Sequence, residues 1–499
     1  MPYENQKKMI SAVIALLLAA SSLPLAANAA QTDNAPDTPI IAAAESIITH
    51  TDDTTPIIEC GECGDNVKFE IHESGILYIY GEGAMKDYVF SDIGTQFENI
   101  EKITTAIIEN GVTKIGDHSF YYFKNLERAE IAGSVTRIGT WAFADCENLK
   151  SVKLSEGLTY INEFGFCGCS SLTEINLPST LKEIQPVAFG YCTSLKSINI
   201  PKSVTVIGML AFNHCESLLS FNVSEQNEKY SSVDGVLYNK GVTKVLCCPA
   251  GRSSVTIPDT VLTISEDAYY YCTKLTSILI PDGVVNINDY AFCGCTSLTS
   301  IEIPDSVTNI YPAAFSKCTS LDSIRLPARI NEIDNETFSE CTSLRSIVIP
   351  DGVKRIKEKA FLECTSLKHI EIPNSVTSIE ENVFSQCRSL SDVYFTGSEE
   401  EWFNIAFSGG NNILQKVTIH FDSHMPEIDE PHEYSLMGDV NGDGKVTAKD
   451  SMTVQRYAIK LDQLSDEQLK AADVDKDGKT TSKDALYILR YSINPAQLP

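Results

Sequence analysis

Residues 287–309 read INDYAFCGCTSLTSIEIPDSVTN, and this stretch sets the fold because it recurs along most of the chain. Its Phe292 belongs to a series with a step of 23: Phe97, Phe120, Phe143, Phe166, Phe189 and Phe212, then Tyr269, Phe292, Phe315, Phe338, Phe361 and Phe384. Leu246, placed 23 residues before Tyr269, fits as a degenerate anchor. In the unit 287–309 the anchor is joined by Ala291, Cys295, Leu298, Ile301, Ile303, Pro304 and Val307. Two apolar residues separated by one, such as Ile301 and Ile303, face the same side of a short strand. The proline that follows lacks a ladder donor and ends that strand. A unit this short leaves its own Phe, Leu and Ile exposed, so only stacking on neighbours can bury them. The expected fold is a solenoid of short parallel strands, roughly 60 Å long at about 4.8 Å per strand.

Side chains flanking the buried strand residues alternate outward, which places the residues eight and ten after each anchor on the concave face. The first column is mostly serine, for example Ser277, Ser300, Ser323 and Ser346. The second is mixed, and within it Glu302, Arg325, Glu371 and Tyr394 are the candidate binding residues. A polysaccharide face favours rows of rings, and this column offers only Tyr394, so a protein or cell-surface ligand is expected before a glycan.

Sixteen cysteines suggest a disulfide framework, yet ten stand at one repeat position, from Cys146 to Cys387. Copies on parallel rungs have parallel side-chain vectors that suit a bridge poorly, so this column reads as buried thiols filling the core. Cys60 with Cys63, and Cys247 with Cys248, are the better bridge candidates.

The remaining composition narrows the class. The 499 residues are 43 % hydrophobic and 21 % charged, with a formal charge of −28, so a nucleic-acid partner is disfavoured. Lys7 and Lys8 precede an apolar run from Met9 to Ala20, and Ala27-Asn28-Ala29 supplies a small-residue cleavage pattern, which predicts a signal peptide over 1–29 and export. No stretch is continuously apolar for a membrane span. Residues 30–58 read as a linker.

The repeat pattern resembles the BspA-like class of bacterial surface leucine-rich repeats. The pairs Cys60-Gly61 and Cys63-Gly64, with Gly81-Glu82-Gly83-Ala84-Met85 and Tyr88, resemble that family's N-terminal cap over 59–96. The segment from Tyr230 to Tyr238 resembles its mid-array insertion near 222–250. Gly397 to Trp402, followed by Val417 to Phe421, resembles its C-terminal cap over 397–421. The resemblance implies a leucine-rich-repeat solenoid of the α/β type over 97–396.

After an acidic linker at 422–434 come two calcium-loop patterns 34 residues apart. Calcium takes six to eight hard oxygens, supplied by loop positions 1, 3, 5, 9 and 12 and the carbonyl at 7. In the first loop these are Asp439, Asn441, Asp443, Thr447 and Asp450 with the Lys445 carbonyl. In the second they are Asp473, Asp475, Asp477, Thr481 and Asp484 with the Lys479 carbonyl. Each loop precedes one helical stretch, Ser451 to Lys460 and Ala485 to Ile493. A duplicated loop-helix with Asp at position 12 is similar to a type I dockerin, a small all-α domain, here over 435–499. That resemblance implies two calcium ions and a cohesin module of a scaffoldin as partner, in a cellulosome that degrades plant polysaccharide. In such domains loop positions 10 and 11 help choose the cohesin; here they are Ala448-Lys449 and Ser482-Lys483, without the usual Ser-Thr pair. Arg456 and Arg490 recur at equivalent helix positions and join that candidate face.

Catalysis is not expected. Glycoside hydrolysis needs two carboxylates about 5 to 10 Å apart in a cleft, while Glu302 and Glu371 stand three rungs apart on a face. The sequence therefore predicts a non-catalytic, exported docking protein. A carbohydrate-binding or cryptic glycoside-hydrolase module is the alternative.

Overall fold

The computed structural model describes residues 49–89 and 97–426, and near the C-terminus residues 440, 448–458, 464, 468–469, 472, 479–481, 485 and 488. The expected signal peptide and most of its linker lie outside the described residues.

The array begins on an antiparallel meander. β1 (Ile57–Glu62) pairs with β2 (Val67–His72), and β2 with β3 (Ile76–Gly81). β3 then turns the ladder parallel by pairing with Thr105–Ile108. From there the strands of successive repeats add in parallel register, as in Ser300↔Ser323, Ile301↔Ile324 and Glu302↔Arg325, with breaks such as that at 174–177, which forms no strand, and that at the insertion. Strands end at the expected prolines: Ser197–Ile200 runs into Pro201 and His369–Ile372 into Pro373. Most turns also carry a second, usually two-residue strand absent from the sequence reading. Arg137–Ile138, Tyr160–Ile161, Glu183–Ile184 and Val206–Ile207 form a parallel row of these. The isoleucine of each pair can point inward while its neighbour stays at the surface.

The anchors make the core. Phe120, Phe143, Phe166, Phe189 and Phe212 stack face to face with centroids 4.7, 5.2, 5.5 and 5.5 Å apart. Tyr269 through Phe384 form a second column at 4.8 to 5.8 Å. Phe97 is buried but meets Phe69 of the cap edge-on at 4.6 Å. It closes the core end instead of joining the column.

Between the two columns the sequence reading needs correction. Leu246 is not the anchor of the degenerate turn. Anchors donate their N–H to the residue before the next anchor, as Tyr269 does to Ala291 at 2.8 Å. Cys248 makes that bond, to Ala268 at 2.7 Å. The insertion, a hairpin of Tyr230–Val233 and Val236–Asn239, shifts the count by two.

The cysteine column is buried as expected, and its thiols also act as donors. Cys146, Cys169, Cys192 and Cys215 place Sγ 3.1–3.2 Å from the carbonyl oxygen of the anchor 26 residues earlier. Cys295, Cys318, Cys341, Cys364 and Cys387 repeat the contact at 3.1–3.2 Å. All sixteen cysteines are free thiols. Neither expected pair is bridged: Cys60 is exposed while Cys63 is fully buried, and Cys247 and Cys248 direct Sγ to different carbonyls.

Most turns reverse through left-handed residues two before and two after the anchor. Ala313 and Lys317, Glu336 and Glu340, Lys359 and Glu363 have φ between 54° and 61°. The C-terminal end is closed by α1 (Glu399–Phe403), started by a reciprocal cap. Ser398 N–H donates to Glu401 Oε2 at 2.8 Å and Ser398 Oγ accepts from Glu401 N–H at 3.3 Å. This cap aims Trp402 into the core, edge-on to Phe395 at 5.2 Å. At the far C-terminus α2 (Ala448–Ala458) starts three residues before the helix read from sequence.

Candidate functional site

The concave face carries a groove of about 740 Å³ whose walls include Ser300, Glu302, Ser323, Arg325, Val348 and Asp351. The alternation of strand side chains builds it: Ile301 and Ile347 point into the core, so their neighbours point out. Glu302 and Arg325 lie on adjacent rungs and are exposed, and Arg325 pairs with Asp305 at 3.1 Å. Backbone and side-chain hydrogen bonds hold the Asp305 carboxyl below its usual range. Val348 is 44 % exposed and gives the groove an apolar patch.

Glu371, expected on the open face, is buried. Its Oε1 lies 2.8 Å from His424 Nδ1, and its Oε2 accepts from the Met425 N–H at 2.7 Å. The residues after the last turn thus cross back over the face, and Met425 lines the groove. Periodicity could not reveal this, because the covering segment stands outside the repeat. Tyr394 is also set apart, stacked on His420 at 4.6 Å and half-buried.

Ser346, His369 and Asp392 occupy successive rungs of one column. A nucleophile, base and acid relay would need continuous hydrogen bonding along it. Asp392 instead engages His420 Nε2 at 2.9 Å and Ser391 Oγ at 2.6 Å, while His369 Nδ1 stands 3.5 Å away. Those two hydrogen bonds, His420 first, also hold the Asp392 carboxyl below its usual range. The column is a surface network and assembles no relay.

In the C-terminal domain, Asp450 stands at position 12 of the first loop pattern. It is fully buried, and its Oδ1 accepts the N–H of Val440, position 2, at 2.8 Å. The end of the loop therefore folds back on its beginning and brings an ionisable oxygen inside. An oxygen-only donor set around such a closed loop fits a hard divalent cation. Ser451 Oγ donates to the Ala485 carbonyl at 2.6 Å, joining equivalent positions of the two copies. Val440, Val454, Ala472, Ala485 and Ile488 form a small core. Lys479 is exposed, while Thr481 and Arg456 are half-buried. Ala448 and Lys449 begin α2. Asp439, Asn441, Asp443, Lys445, Thr447, Asp473, Asp475, Asp477, Ser482, Lys483, Asp484 and Arg490 lie outside the described residues. Among the described residues no helix is long and apolar enough to cross a membrane.

Comparison with known proteins agrees with both halves. The profile of the BspA type leucine rich repeat region matches in 6 copies, over residues 92–232, 248–364 and 331–430. The Dockerin type I domain matches residues 437–491. No curated protein matches the chain. Among solved structures, a leucine-rich repeat protein from Eubacterium ventriosum is 28 % identical with a TM-score of 0.64, covering 74 % of this chain and 97 % of its own. A leucine rich cell surface protein from Faecalibacterium prausnitzii is 28 % identical with a TM-score of 0.47, covering 69 % and 96 %. Repeats and dockerins are non-catalytic kinds of module, one for interaction and one for docking to cohesin. The chain belongs to the BspA-type leucine-rich repeat family and carries a type I dockerin domain at its C-terminal end.

Proposed function

We propose that this is an exported, non-catalytic component of a cellulosome-type assembly. Its dockerin holds two calcium ions and docks on a scaffoldin cohesin, while its repeats hold a protein or cell surface beside the polysaccharide being degraded. The observation that carries the reading is the closed loop of Asp450 and Val440 within a region matching a type I dockerin. Asp439, Asn441, Asp443, Thr447 and Asp450 with the Lys445 carbonyl would hold one ion. Asp473, Asp475, Asp477, Thr481 and Asp484 with the Lys479 carbonyl would hold the other. The ions supply the positive charge that lets crowded carboxylates converge, so metal binding and folding of this domain are one event. Ala448, Lys449 and Arg456, with Ser482, Lys483 and Arg490, would form the duplicated cohesin face.

For the repeats, a groove with opposite charges on neighbouring rungs, Glu302 and Arg325, and an apolar patch at Val348 suits a polypeptide surface. A glycan face would want a row of rings, and only Tyr394 with His420 stacks there.

The test is calorimetry of the full chain against a panel of cohesins, with calcium and then with excess chelator. The expected result is binding to at least one cohesin that chelation or the pair Asp450→Ala and Asp484→Ala abolishes. Binding that persists in chelator would overturn the calcium reading. Retention of the chain on insoluble plant polysaccharide without a protein partner would favour the carbohydrate-binding alternative.

A further inference from the structure

The insertion interrupts the stacking of turns, and the interruption is not filled. Up to this point each turn donates to the next: Phe189 N–H to Ala211 and Tyr191 N–H to Asn213, both at 2.8 Å. The chain returns to register at Cys248. Among the described residues, the N–H groups of Leu210 and Phe212 meet no carbonyl of a following turn. The first ring column ends here, with Phe212 edge-on to Phe221 at 5.2 Å, and the hydrophobic core divides into two clusters. The repeat-family match pauses between residues 232 and 248.

The interruption leaves a cavity of about 310 Å³, at the small end of the range for small-molecule sites, about 300–1,000 Å³. Its lining includes Leu210, Phe212, Leu246, Cys248, Asp267 and Tyr270. Asp267 is only 9 % exposed, and neither of its carboxyl oxygens has a hydrogen-bond partner. Burial above all, then the neighbouring Glu266 and Asp289, push its pKa up to about 8. Glu266 and Asp289 are themselves raised, chiefly by burial. His214 nearby is held neutral, its pKa lowered to about 4 by burial.

Buried acceptors without donors are costly, and each calls for a partner. The groups acting on Asp267 are both acidic, so a cation beside it would offset their repulsion and bind with release of the Asp267 proton. A metal ion is a poor candidate, because among the described residues no three His, Cys, Asp or Glu side chains converge to hold one. An ammonium group brings several N–H donors and a positive charge, and an alkyl body can lie against Phe212 and Leu246. We propose that this cavity binds an alkyl-ammonium group, from a free primary amine or a lysyl side chain, with Asp267 accepting its hydrogen bonds.

The test uses the full chain with calcium and two matched pairs in calorimetry. Hexylammonium is compared with hexan-1-ol, and Nα-acetyl-lysine methylamide with Nα-acetyl-norleucine methylamide. In at least one pair the ammonium member should bind tenfold or more tightly than its neutral partner, and the responding pair distinguishes a free amine from a lysyl side chain. Asp267→Asn should abolish that preference with the thermal transition retained. Leu246→Trp, which fills the space without touching the carboxyl, should abolish binding itself. Equal binding within both pairs, or a preference that survives Asp267→Asn, would overturn the proposal. So would the absence of any binding at millimolar ligand, which would mean the cavity holds water alone.

Discussion

The carboxylate of Glu371 accepts the backbone N–H of Met425 at 2.7 Å, which ties the segment that follows the C-terminal cap to a rung of the concave face. The same carboxylate raises the pKa of His424, first through their hydrogen bond and then through its charge. A raised imidazole pKa means this contact is fully present below the ordinary histidine value and is lost as pH rises through the raised one. Methyl relaxation of Met425 should therefore show it held against the groove in mild acid and released at alkaline pH. In Glu371→Gln it should be mobile throughout. A Met425 signal that ignores both pH and the substitution would refute the strap.

Removing an anchor ring tests the stacked core. Phe315 is fully buried between Phe292 at 5.3 Å and Phe338 at 5.7 Å. Phe315→Ala should destabilise the array by about 3–5 kcal/mol, read as a lower denaturant midpoint. Because a turn is stable only against its neighbours, amides of the adjacent repeats should lose exchange protection together.

Thiol reactivity follows exposure and thiolate content. Burial pushes up the thiols of Cys169, Cys192, Cys318 and Cys341, and those of Cys215 and Cys387 to about 12. Alkylation of the native chain, followed by mass mapping, should label the exposed Cys60 first, and Cys247, half-buried with its thiol held well up by burial, should follow far more slowly. The column should react only after denaturation. Prompt labelling of Cys318 in the native state would contradict the thiol–carbonyl contact it makes with Phe292 at 3.2 Å.

Asp267 should make stability fall with rising pH. Its folded pKa is about 8 against an ordinary 3.8, so its contribution is most favourable below 3.8 and declines until about 8. Asp267→Asn does not titrate, and should exceed the native chain in stability at pH 8 by up to roughly 5 kcal/mol. Melting curves of both chains from pH 4 to 9 provide the comparison, and parallel curves would refute the assignment.

Most of the fold was legible because one period governs it. The 23-residue step placed Phe292, Cys295, Ile301 and Ile303 in the core, and all four are buried. The alternation around Ile301 correctly put Glu302 outside. Errors arose where the period gives way to packing between distant segments. Leu246 was misplaced because the hairpin shifts the count, and only the bond from Cys248 to Ala268 reveals the true anchor. Glu371 kept its place in the column, yet a segment more than fifty residues later covers it. The second strand of most turns, such as Asn309–Ile310, is too short for a pattern to announce it. The calcium-loop pattern is a reading of ligand spacing alone, and the contact of Asp450 with Val440 is the part that required coordinates.

The left-handed residues flanking each anchor bear on what counts as the folding unit. A non-glycine residue such as Lys317 or Glu340 in that conformation costs roughly 1–2 kcal/mol, and most turns have two such positions. An isolated pair of turns has too few contacts to offset that cost, so a fragment cut inside the array would unravel inward from the cut. Length is then a threshold property: shortened arrays fold only while enough neighbours remain to hold every reversal, and the chain gains its concave groove and its stability together.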